Sequence, residues 1–511
     1  MTTPVPGEFR ADAADLQRET LRALLALILV TSFLRLVLAG VLGLTVDESY
    51  TVAISRSLSL SYFDHPPLHV WLVGLWARLT GSEAPLVLRL PDVAMFAVTT
   101  CLMYRLTAML FGERAGLWAA VSLNLAPLFT INAGIGIVPD ALLVLFSLLA
   151  VQCFARAMLP SPAAREDRSS LLGAGAAMGL ALLSKYTAVF PLAGLSVYLL
   201  SCRPRSLGWF SLWLGAFLVL ILFTPVLVWN HAHAWASLAF QGGRAAPASF
   251  SLARAAASLA AQLLYLLPWI AAAALYALAR ALARGRTDAR TWLFACLATG
   301  PISAFSLLAL WTKVLPHWAA IGWLFTFPLL GEWLASLEAQ RARLLRGLAA
   351  ATAAVPLALT VLIATQAATG WLDRFIPALA AHDPTLDALD WRALAAFAAR
   401  LGLARRGLGV ATVSWIDAGK ADYALGGRVP VLCLSSDPRH FAYLHDPARF
   451  AGRDALIVAA DGRPDWLALA APHFQHVEPG EDIVVRRRNG AAALTLHTAW
   501  GRGLEPAGSA P

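Results

Sequence analysis

Two short stretches, Asp47-Glu48-Ser49-Tyr50 and Ser61-Tyr62-Phe63-Asp64-His65-Pro66-Pro67, decide how this chain is interpreted. Together they hold three carboxylates, a histidine and two tyrosines, and they lie between two long apolar segments. Ionisable groups beside such segments are costly and usually functional. We therefore expect the cluster to lie at one face of a membrane, with the rest of the chain holding it there.

The composition is that of a protein with many membrane spans. Of the 511 residues, 59% are hydrophobic and only 14% are charged, whereas soluble domains are about 25% charged. The five cysteines are scattered, so no disulfide framework is predicted. The net charge of +9 would suit a nucleic-acid partner, but the positions of the arginines give it another meaning.

Apolar segments of about 17–25 residues predict spanning helices. The first has no small-residue cleavage pattern, so we expect it to remain as a span. The fifth and sixth are short and meet near Lys185. We predict about eleven spans, at 22–44, 88–110, 115–132, 138–157, 170–184, 186–201, 208–229, 252–280, 291–311, 317–335 and 347–366.

The arginines predict the orientation of these spans. Basic residues are enriched in cytoplasmic connections, and here they recur in the N-terminal arm and after the fourth, sixth, eighth and tenth spans. They are Arg10, Arg18 and Arg22; Arg165 and Arg168; Arg203 and Arg205; Arg284, Arg286 and Arg290; and Arg341, Arg343 and Arg346. With an odd span count they share one side, which we assign to the cytoplasm. The positive charge is thus a topology signal, and no nucleic-acid partner is predicted.

The predicted organisation has three parts. Residues 1–21 form a cytoplasmic arm, 22–370 a transmembrane domain, and 371–511 a domain on the outer side of the membrane. Within the first outer loop, 45–87, the apolar stretch 66–79 is too short to span and predicts an interfacial helix. A re-entrant or buried segment is the alternative.

Beyond residue 371 the pattern predicts a small α/β domain. Short β-branched runs predict strands at 409–413, 429–434, 455–459 and 483–485, and residues 484–496 predict a hairpin with an Asn-Gly turn. Helices are predicted at 386–401 and 465–471. Arg486–Arg488 protects an edge strand or contacts lipid headgroups. We see no metal or nucleotide motif, so the domain is expected to be accessory.

Further ionisable residues stand at the outer ends of the predicted spans. Asp140 opens the fourth and Lys185 ends the fifth, Arg244 lies in an outer loop, and Lys313 and His317 lie between the ninth and tenth. A transporter would place charges near the bilayer midplane. Their position at one interface favours an enzyme over a transporter or flippase of lipid-linked sugars.

The mixture of charges suits transfer from a phosphate leaving group. A carboxylate can accept the proton of an acceptor hydroxyl, a step worth ~10²–10⁴ in rate, while a cation or metal neutralises the departing phosphate. The outer face offers no nucleotide sugar. A polyprenyl-phosphate sugar carried in the membrane is therefore the expected donor.

The same residues carry a resemblance to a known family. Asp47-Glu48 followed by Tyr62-Phe63-Asp64-His65-Pro66-Pro67 resembles family 39 of the bacterial glycosyltransferases, which have the GT-C fold and are related to protein O-mannosyltransferases and lipid A aminoarabinose transferases. Val138–Ala141, Leu183–Thr187 and Lys313–Trp318 match further motifs. Each motif is weak alone, but their order over about residues 20–340 is specific.

The resemblance implies roles for individual residues. Asp47 would be the catalytic base or orient the acceptor, with Glu48 beside it and Asp140 supporting the site. Lys185 would bind the donor phosphate. Further candidates for phosphate contact are Tyr62, Arg244 and Lys313.

The sequence also departs from the aminoarabinose transferases. Those enzymes carry Glu-Lys where this chain has Asp64-His65, and Arg where it has Tyr50. Arg244, Lys313 or a divalent metal (Mg, Mn or Zn) would have to replace the missing cations. Candidate ligands of that metal are Asp64, His65 and His317. Aminoarabinose is therefore not predicted as the transferred sugar.

Plainer interpretations exist for each residue. Asp47 and Glu48 could be solvated loop charges, Asp64-His65 could cap a helix that begins near Pro66, and Asp140 could only cap its span. Lys185 could be a snorkelling end residue.

The sequence therefore predicts a polytopic GT-C glycosyltransferase that acts at the periplasmic face on a lipopolysaccharide or lipid A component or another envelope glycan, with inversion of the anomeric centre. A protein acceptor is the alternative, as is a scaffold that binds partners through its C-terminal domain. The interpretation requires Asp47, Lys185, Lys313 and His317 to converge on one exterior pocket.

Overall fold

The chain divides into two compact units in a computed structural model, which describes residues 6–159, 168–202, 209–246, 249–380 and 383–505. Unit 1 comprises 1–36, 65–68 and 90–358, and unit 2 comprises 37–64, 69–89 and 359–511. The basic positions Arg165, Arg203 and Arg205 lie outside the described residues. The domain boundaries at 21 and 370 stay a prediction.

The described chain is mainly helical up to residue 425. Its helices are α1 Pro6–Val41, α2 Val46–Ser55, α3 Leu68–Thr80, α4 Pro85–Phe111, α5 Glu113–Leu125, α6 Pro127–Asn132, α7 Asp140–Met158, α8 Arg168–Ser184, α9 Val189–Cys202, α10 Trp209–Ala232, α11 Ala236–Arg244, α12 Leu252–Leu266, α13 Pro268–Arg284, α14 Ala289–Leu308, α15 Ala320–Leu324, α16 Phe327–Thr369, α17 Pro377–Ala380, α18 Arg392–Leu401, α19 Leu403–Arg406, α20 Trp415–Leu425 and α21 Trp466–Ala470.

Several of these helices are long and apolar enough to cross a membrane. Among the described residues six qualify, in α1, α4, α7, α10, α14 and α16, and the pair α12–α13, bent by 101°, would make a seventh. Helices α8 and α9 are shorter apolar helices. The protein is therefore a multi-pass membrane protein, as predicted, while the count of about eleven spans stays a prediction.

Prolines explain two places where the helices differ from the predicted spans. The segment 115–132 is divided at Ala126, and 252–280 is divided at Leu267, which has a φ of 69°. Pro127 and Pro268 follow these breaks. Proline lacks the amide hydrogen that an uninterrupted helix needs and disfavours helical geometry in the preceding residue.

Helix α16 is interrupted between two of the predicted spans. The sequence predicted separate spans at 317–335 and 347–366, and the helical run of 43 residues that begins at Phe327 has non-helical backbone at Arg341 (φ −134°, ψ 34°), between these two ranges. The region before it holds a 3-10 turn at Pro316–Ala319 and the short helix α15.

Apolar packing between helices forms the core of unit 1. Phe96 of α4, Leu148 of α7, Ala181 of α8, Phe294 of α14 and Trp323 of α15 are all fully or almost fully buried in one cluster. The indole N–H of Trp323 donates to Gln262 Oε1 at 3.1 Å, so its polar atom has a partner within that core.

Helix α2 of unit 2 lies within the range 45–87, which the sequence predicted as the first outer loop. Thr45 caps it: the Thr45 side chain accepts from the Glu48 amide, and the Glu48 carboxylate accepts from the Thr45 amide at 2.8 Å. This is the Thr-x-x-Glu capping box, which was visible in the sequence. The predicted helix over 66–79 is present as α3.

A mixed sheet forms the centre of the C-terminal part of unit 2. Its strands are β1 Gly409–Thr412, β2 Val431–Cys433, β3 Ala455–Ala460, β4 Phe474–Pro479, β5 Ile483–Arg486 and β6 Ala492–Leu504. The order is β2-β1-β3-β6-β4, and β5 also pairs with β6. Strands β1, β2 and β3 are parallel, whereas β6 is antiparallel to β3, β4 and β5.

The sequence predicted most of this sheet. The four predicted strands and the hairpin are present, and Gly490 has the positive φ (83°) that the predicted turn requires. Strand β4 and helix α20 were missed. Helix α20 packs against α2 through Gly419, where a Cβ would lie 3.0 Å from the backbone N and Cα of Tyr50.

Arg487 stabilises the connection between the end of α16 and this sheet. Its guanidinium donates to Asp383 Oδ2 at 2.6 Å and to the Gln366 carbonyl at 3.0 Å, and both charged side chains are about 2% exposed or less. The middle arginine of the predicted edge-protecting triplet is thus a buried structural residue.

We expect Arg487→Met to destabilise the protein strongly, because removing one partner of a buried ion pair costs about 3–5 kcal/mol. Arg486→Met, its exposed neighbour, is the matched control and should shift the melting temperature little. Intrinsic-fluorescence melting of the full-length protein in detergent measures both. Equal melting temperatures for the two variants would contradict the structural role of Arg487.

Candidate active site

A buried ion pair in unit 2 fixes the start of α2. Arg89 Nε donates to Glu48 Oε1 at 2.8 Å, and both residues are 1% exposed. The same guanidinium donates to the carbonyls of Ala39, Leu42 and Gly43 at 2.8–3.1 Å. Arg89 therefore satisfies carbonyls at the C-terminal end of α1 while it holds Glu48.

These contacts indicate that Glu48 has a structural role. Its carboxylate accepts from Arg89 and from the Thr45 amide, so both oxygens are engaged in fixing α2. The catalytic role predicted for Glu48 stays a prediction, whereas Asp47, its neighbour in the first turn of α2, is exposed.

The exposed carboxylate belongs to a group that we name the acidic cluster: Asp47, Tyr50, Asp64, Arg439 and His440. Tyr50 donates its hydroxyl to Asp64 Oδ1 at 3.0 Å, and the backbone amide of His440 donates to the Tyr50 hydroxyl at 3.0 Å. Arg439 Nη1 lies 3.5 Å from Asp64 Oδ2. Asp64, Tyr50 and His440 are each less than 5% exposed.

The cluster changes the acidity of Asp47. Loss of hydration raises the pKa of Asp47, the negative charge of Asp64 raises it further, and Arg439 acts in the opposite direction. A carboxylate with a raised pKa is a better proton acceptor. Burial and Asp64 also raise the pKa of Tyr50, so this residue stays protonated and can keep donating to Asp64.

Arg439 is held in an uncommon backbone conformation. Its φ is 51°, in the left-handed region that non-glycine residues rarely occupy and that recurs at functional sites. Its guanidinium lies 4.7 Å from the centre of the Trp415 ring, and its Nε lies 3.0 Å from Asp437 Oδ2. These contacts keep a positive charge beside Asp64.

Tyr62 and its surroundings pack against the same cluster. Tyr62 is fully buried, its hydroxyl donates to the Ser57 carbonyl at 3.0 Å, and its ring lies 4.8 Å from that of His440. His440 Nδ1 in turn accepts from the Phe63 amide at 3.2 Å. The phosphate contact predicted for Tyr62 stays a prediction.

A buried lysine of α20 supports the segment before α2. Lys420 of α20 is 3% exposed, and its Nζ donates to the Leu44 and Asp387 carbonyls at 2.7 and 2.8 Å. Burial lowers the pKa of Lys420 to about 8. Lys420 and Asp387 border a cavity of about 460 Å³ that Val46 and Asp417 also line. Burial raises the pKa of Asp417 to about 6.

In unit 1 the predicted residues form a separate group, the lysine cluster: Asp140, Lys185, His65, His317 and Arg244. Lys185 Nζ donates to Asp140 Oδ2 at 2.7 Å, and these residues are 9% and 6% exposed. His65 and His317 are near enough to interact electrostatically with Asp140. Lys185 and Arg244 in turn interact with His317.

Arg244 is held by aromatic rings. Its guanidinium carbon lies 4.5 Å from the centre of the Trp318 ring and 5.6 Å from that of Phe240, and stacking on aromatic faces is a typical mode for arginine. Lys313 is exposed. The structure places Asp140, Lys185, His65, His317 and Arg244 in unit 1, and the roles predicted for them stay predictions.

The predicted convergence of Asp47 with Lys185, Lys313 and His317 stays a prediction, since Asp47 belongs to unit 2 and the other three to unit 1.

The metal predicted at Asp64, His65 and His317 also stays a prediction. Among the residues described by the structure, no group of three or more His, Cys, Asp or Glu side chains is placed to hold a metal ion. Asp64 already accepts from Tyr50 and faces Arg439. We assign no step to a metal.

Several functional candidates were missed from the sequence. Arg89 and Arg35 lie inside predicted spans, where a charge is itself a functional signal. Arg35 of α1 is 2% exposed, donates to Asn124 Oδ1 at 2.9 Å and lies 4.3 Å from the centre of the Phe96 ring. Arg439 and His440 gave no such signal, since they follow a polar turn in a soluble-like region.

The fold is similar to that of the GT-C glycosyltransferases. The family model described as dolichyl-phosphate-mannose-protein mannosyltransferase matches residues 64–229. ArnT from Cupriavidus metallidurans in the apo state superposes with a TM-score of 0.64 and 17% identity over 93% of this chain and 97% of that one. The chain therefore has the GT-C fold that its motifs predicted.

Individual relatives are similar at the level of sequence and structure. Lipid A galacturonosyltransferase RgtD of Rhizobium johnstonii is 23% identical over 295 residues, which are 57% of this chain and 61% of that protein. The match thus spans about three fifths of that relative's length. ArnT from Cupriavidus metallidurans bound to undecaprenyl phosphate gives a TM-score of 0.61 at 18% identity, with 93% and 97% coverage. The predicted resemblance to family 39 is confirmed.

We expect Asp140→Asn to destabilise unit 1, because it leaves the buried Lys185 ammonium without its carboxylate, a loss of about 3–5 kcal/mol. The double variant Asp140→Asn/Lys185→Met should recover most of the melting temperature, since it removes both charges. Lys313→Met, which removes an exposed lysine, is the control. A double variant that melts as low as the single one would contradict a direct pair.

Proposed function

We propose that this protein is a glycosyltransferase of the bacterial inner membrane that moves one sugar from a polyprenyl-phosphate donor to an acceptor at the periplasmic face. The N-terminus is then cytoplasmic and the C-terminal part of unit 2 periplasmic. The observation that carries the proposal is Asp47: an accessible carboxylate of raised pKa in the first turn of a helix whose start is fixed by buried ion pairing.

The proposed reaction is a displacement at the anomeric carbon. The acceptor hydroxyl attacks that carbon and gives its proton to Asp47, and the bond between the anomeric carbon and the phosphate oxygen breaks. The electron pair of this bond leaves with the lipid phosphate, so the configuration inverts. Asp64, Tyr50 and Arg439 position Asp47 and set its acidity, and a general base of this kind contributes ~10²–10⁴ in rate.

The lysine cluster supplies the opposite charge in this proposal. Lys185 and Arg244 are the cations that would stabilise the leaving phosphate. Asp140 accepts a hydrogen bond from the buried Lys185 Nζ and so holds it in place. The donor class is supported by the similarity in fold to ArnT from Cupriavidus metallidurans, which was solved bound to undecaprenyl phosphate.

The acceptor class is an envelope glycolipid, with lipid A or another lipopolysaccharide component foremost. The support is the similarity to a protein named lipid A galacturonosyltransferase. A protein acceptor is the second candidate, because the family model that matches this chain is that of the dolichyl-phosphate-mannose-protein mannosyltransferases. Mass spectrometry of glycolipids and of envelope glycoproteins from a deletion strain separates the two, since only the true acceptor class loses a sugar.

We expect Asp47→Asn to abolish transfer while leaving expression and membrane insertion near normal, because the amide cannot accept the proton and the residue is exposed. The measurement is the return of the missing sugar when the deletion strain is complemented. Asp465→Asn, which changes another exposed carboxylate of unit 2, should complement fully. Full complementation by Asp47→Asn would remove it as the base.

The charges around Asp47 predict opposite shifts in the pH dependence. Because the deprotonated carboxylate is the active form, transfer should fall as pH drops through the raised pKa of Asp47, above the ordinary value of 3.8. Asp64→Asn removes a negative charge and should move this acidic limb to lower pH, whereas Arg439→Gln should move it to higher pH. Initial rates of the purified enzyme across pH measure both, and shifts in the same direction would contradict the assignment.

A further inference from the structure

A cavity of about 670 Å³ in unit 2 takes no part in the proposed transfer. We call it the basic cavity. Three neighbouring arginines of the β5–β6 hairpin border it, together with one arginine of α18 and residues near the ends of α1 and α16. Its defining residues are Val41, Ala367, Arg392, Arg486, Arg487 and Arg488.

The hairpin places the cavity beside the ends of two helices that qualify as membrane spans. Arg488 Nη2 donates to the Gly40 carbonyl at 2.7 Å, and Asn489 Nδ2 donates to the Thr369 carbonyl at 3.0 Å. Helices α1 and α16 end at Val41 and Thr369. Lipid headgroups lie where a membrane span ends, so this position favours a lipid phosphate as the ligand.

The cavity carries an excess of positive charge. Arg487 is neutralised by Asp383 and Asp373, and Arg392 pairs with Asp390 at 3.2 Å with a side chain that is 86% exposed. Among the residues that the structure describes, Arg486 and Arg488 hydrogen-bond to backbone carbonyls, those of Gly490 and Gly40, and to no carboxylate.

A carboxylate oxygen in the same cavity has no hydrogen-bond partner among the described residues. Asp390 Oδ1 is buried and receives no hydrogen bond, although Oδ2 of the same carboxylate pairs with Arg392. A buried acceptor without a donor is costly. A ligand hydroxyl next to a phosphate would satisfy it while the phosphate contacts the arginines.

Protection of the β5 edge explains only part of this arrangement. That role suits Arg486, which lies on β5, but not Arg392, which comes from α18. Arginines that converge from separate elements match the bidentate recognition of phosphate better than they match a charged strand edge.

We propose that the basic cavity binds the headgroup of an anionic membrane lipid whose phosphate carries a polyol, with Arg392, Arg486 and Arg488 around the phosphate and Asp390 accepting from a hydroxyl. Phosphatidylglycerol represents this class. The proposal does not depend on sugar transfer, because it concerns lipid binding to the free protein.

Native mass spectrometry of the full-length protein in detergent tests the proposal with three short-chain lipids and with glycerol phosphate as a soluble competitor. Phosphatidylglycerol should bind most tightly, phosphatidic acid (no polyol) more weakly, and phosphatidylcholine (no net charge) at least 10-fold more weakly. Glycerol phosphate distinguishes a lipid from a free phosphate: competition at the concentration of the lipid would overturn the lipid assignment.

Variants then locate the site. Arg392→Gln/Arg486→Gln should weaken phosphatidylglycerol at least 10-fold, whereas Arg405→Gln/Arg449→Gln, an equal charge change at exposed positions outside the cavity, should leave it within 2-fold. Asp390→Ala should abolish the preference for phosphatidylglycerol over phosphatidic acid. Melting temperatures confirm that the variants are folded. Equal weakening by both arginine pairs, or an unchanged preference in Asp390→Ala, would overturn the proposal.

Discussion

The structure of the candidate active site depends on one buried guanidinium. Arg89 holds Glu48 and accounts for three carbonyls at the end of α1, so a single side chain fixes where one helix stops and the next begins. A buried ion pair of this kind contributes little net stability unless its hydrogen bonds are complete. Here five are made, and the benefit lies in geometry: Asp47 projects from the first turn of a rigid helix rather than from a flexible loop.

This rigidity explains how an exposed carboxylate can have altered acidity. A loop aspartate moves into water and keeps its ordinary pKa, whereas Asp47 is held close enough to Asp64 to sense its charge. Asp64 is itself fixed by Tyr50 and Arg439. The acidic cluster therefore consists of one accessible carboxylate beside residues that are held by hydrogen bonds and ion pairs.

How much of this the sequence could predict follows from the range of the interactions. Apolar segment length predicted the membrane helices, alternation and turn residues predicted four strands and the hairpin, and local motifs found Asp47, Asp140 and Lys185. The α2 helix was also predictable, since the Thr45–Glu48 capping box is local. Arg439 and His440 were not predictable, because their partners Asp64 and Tyr50 are hundreds of residues away and no local pattern marks such a pairing.

The span boundaries failed for a related reason. Hydropathy reports how long an apolar segment is but not where its backbone bends, so it joined α5 to α6 and α12 to α13. The prolines at 127 and 268 were the available signal at both places.

The distance along the chain between Tyr50 and His440 has a consequence for biosynthesis. These residues are 390 positions apart, and at about 5–20 residues per second the ribosome needs roughly 20–80 s to make the intervening segment. Throughout that time Asp47 has already left the ribosome while its neighbours do not yet exist. A nascent or prematurely terminated chain therefore cannot assemble the acidic cluster, which confines any activity to molecules whose translation has passed beyond residue 440.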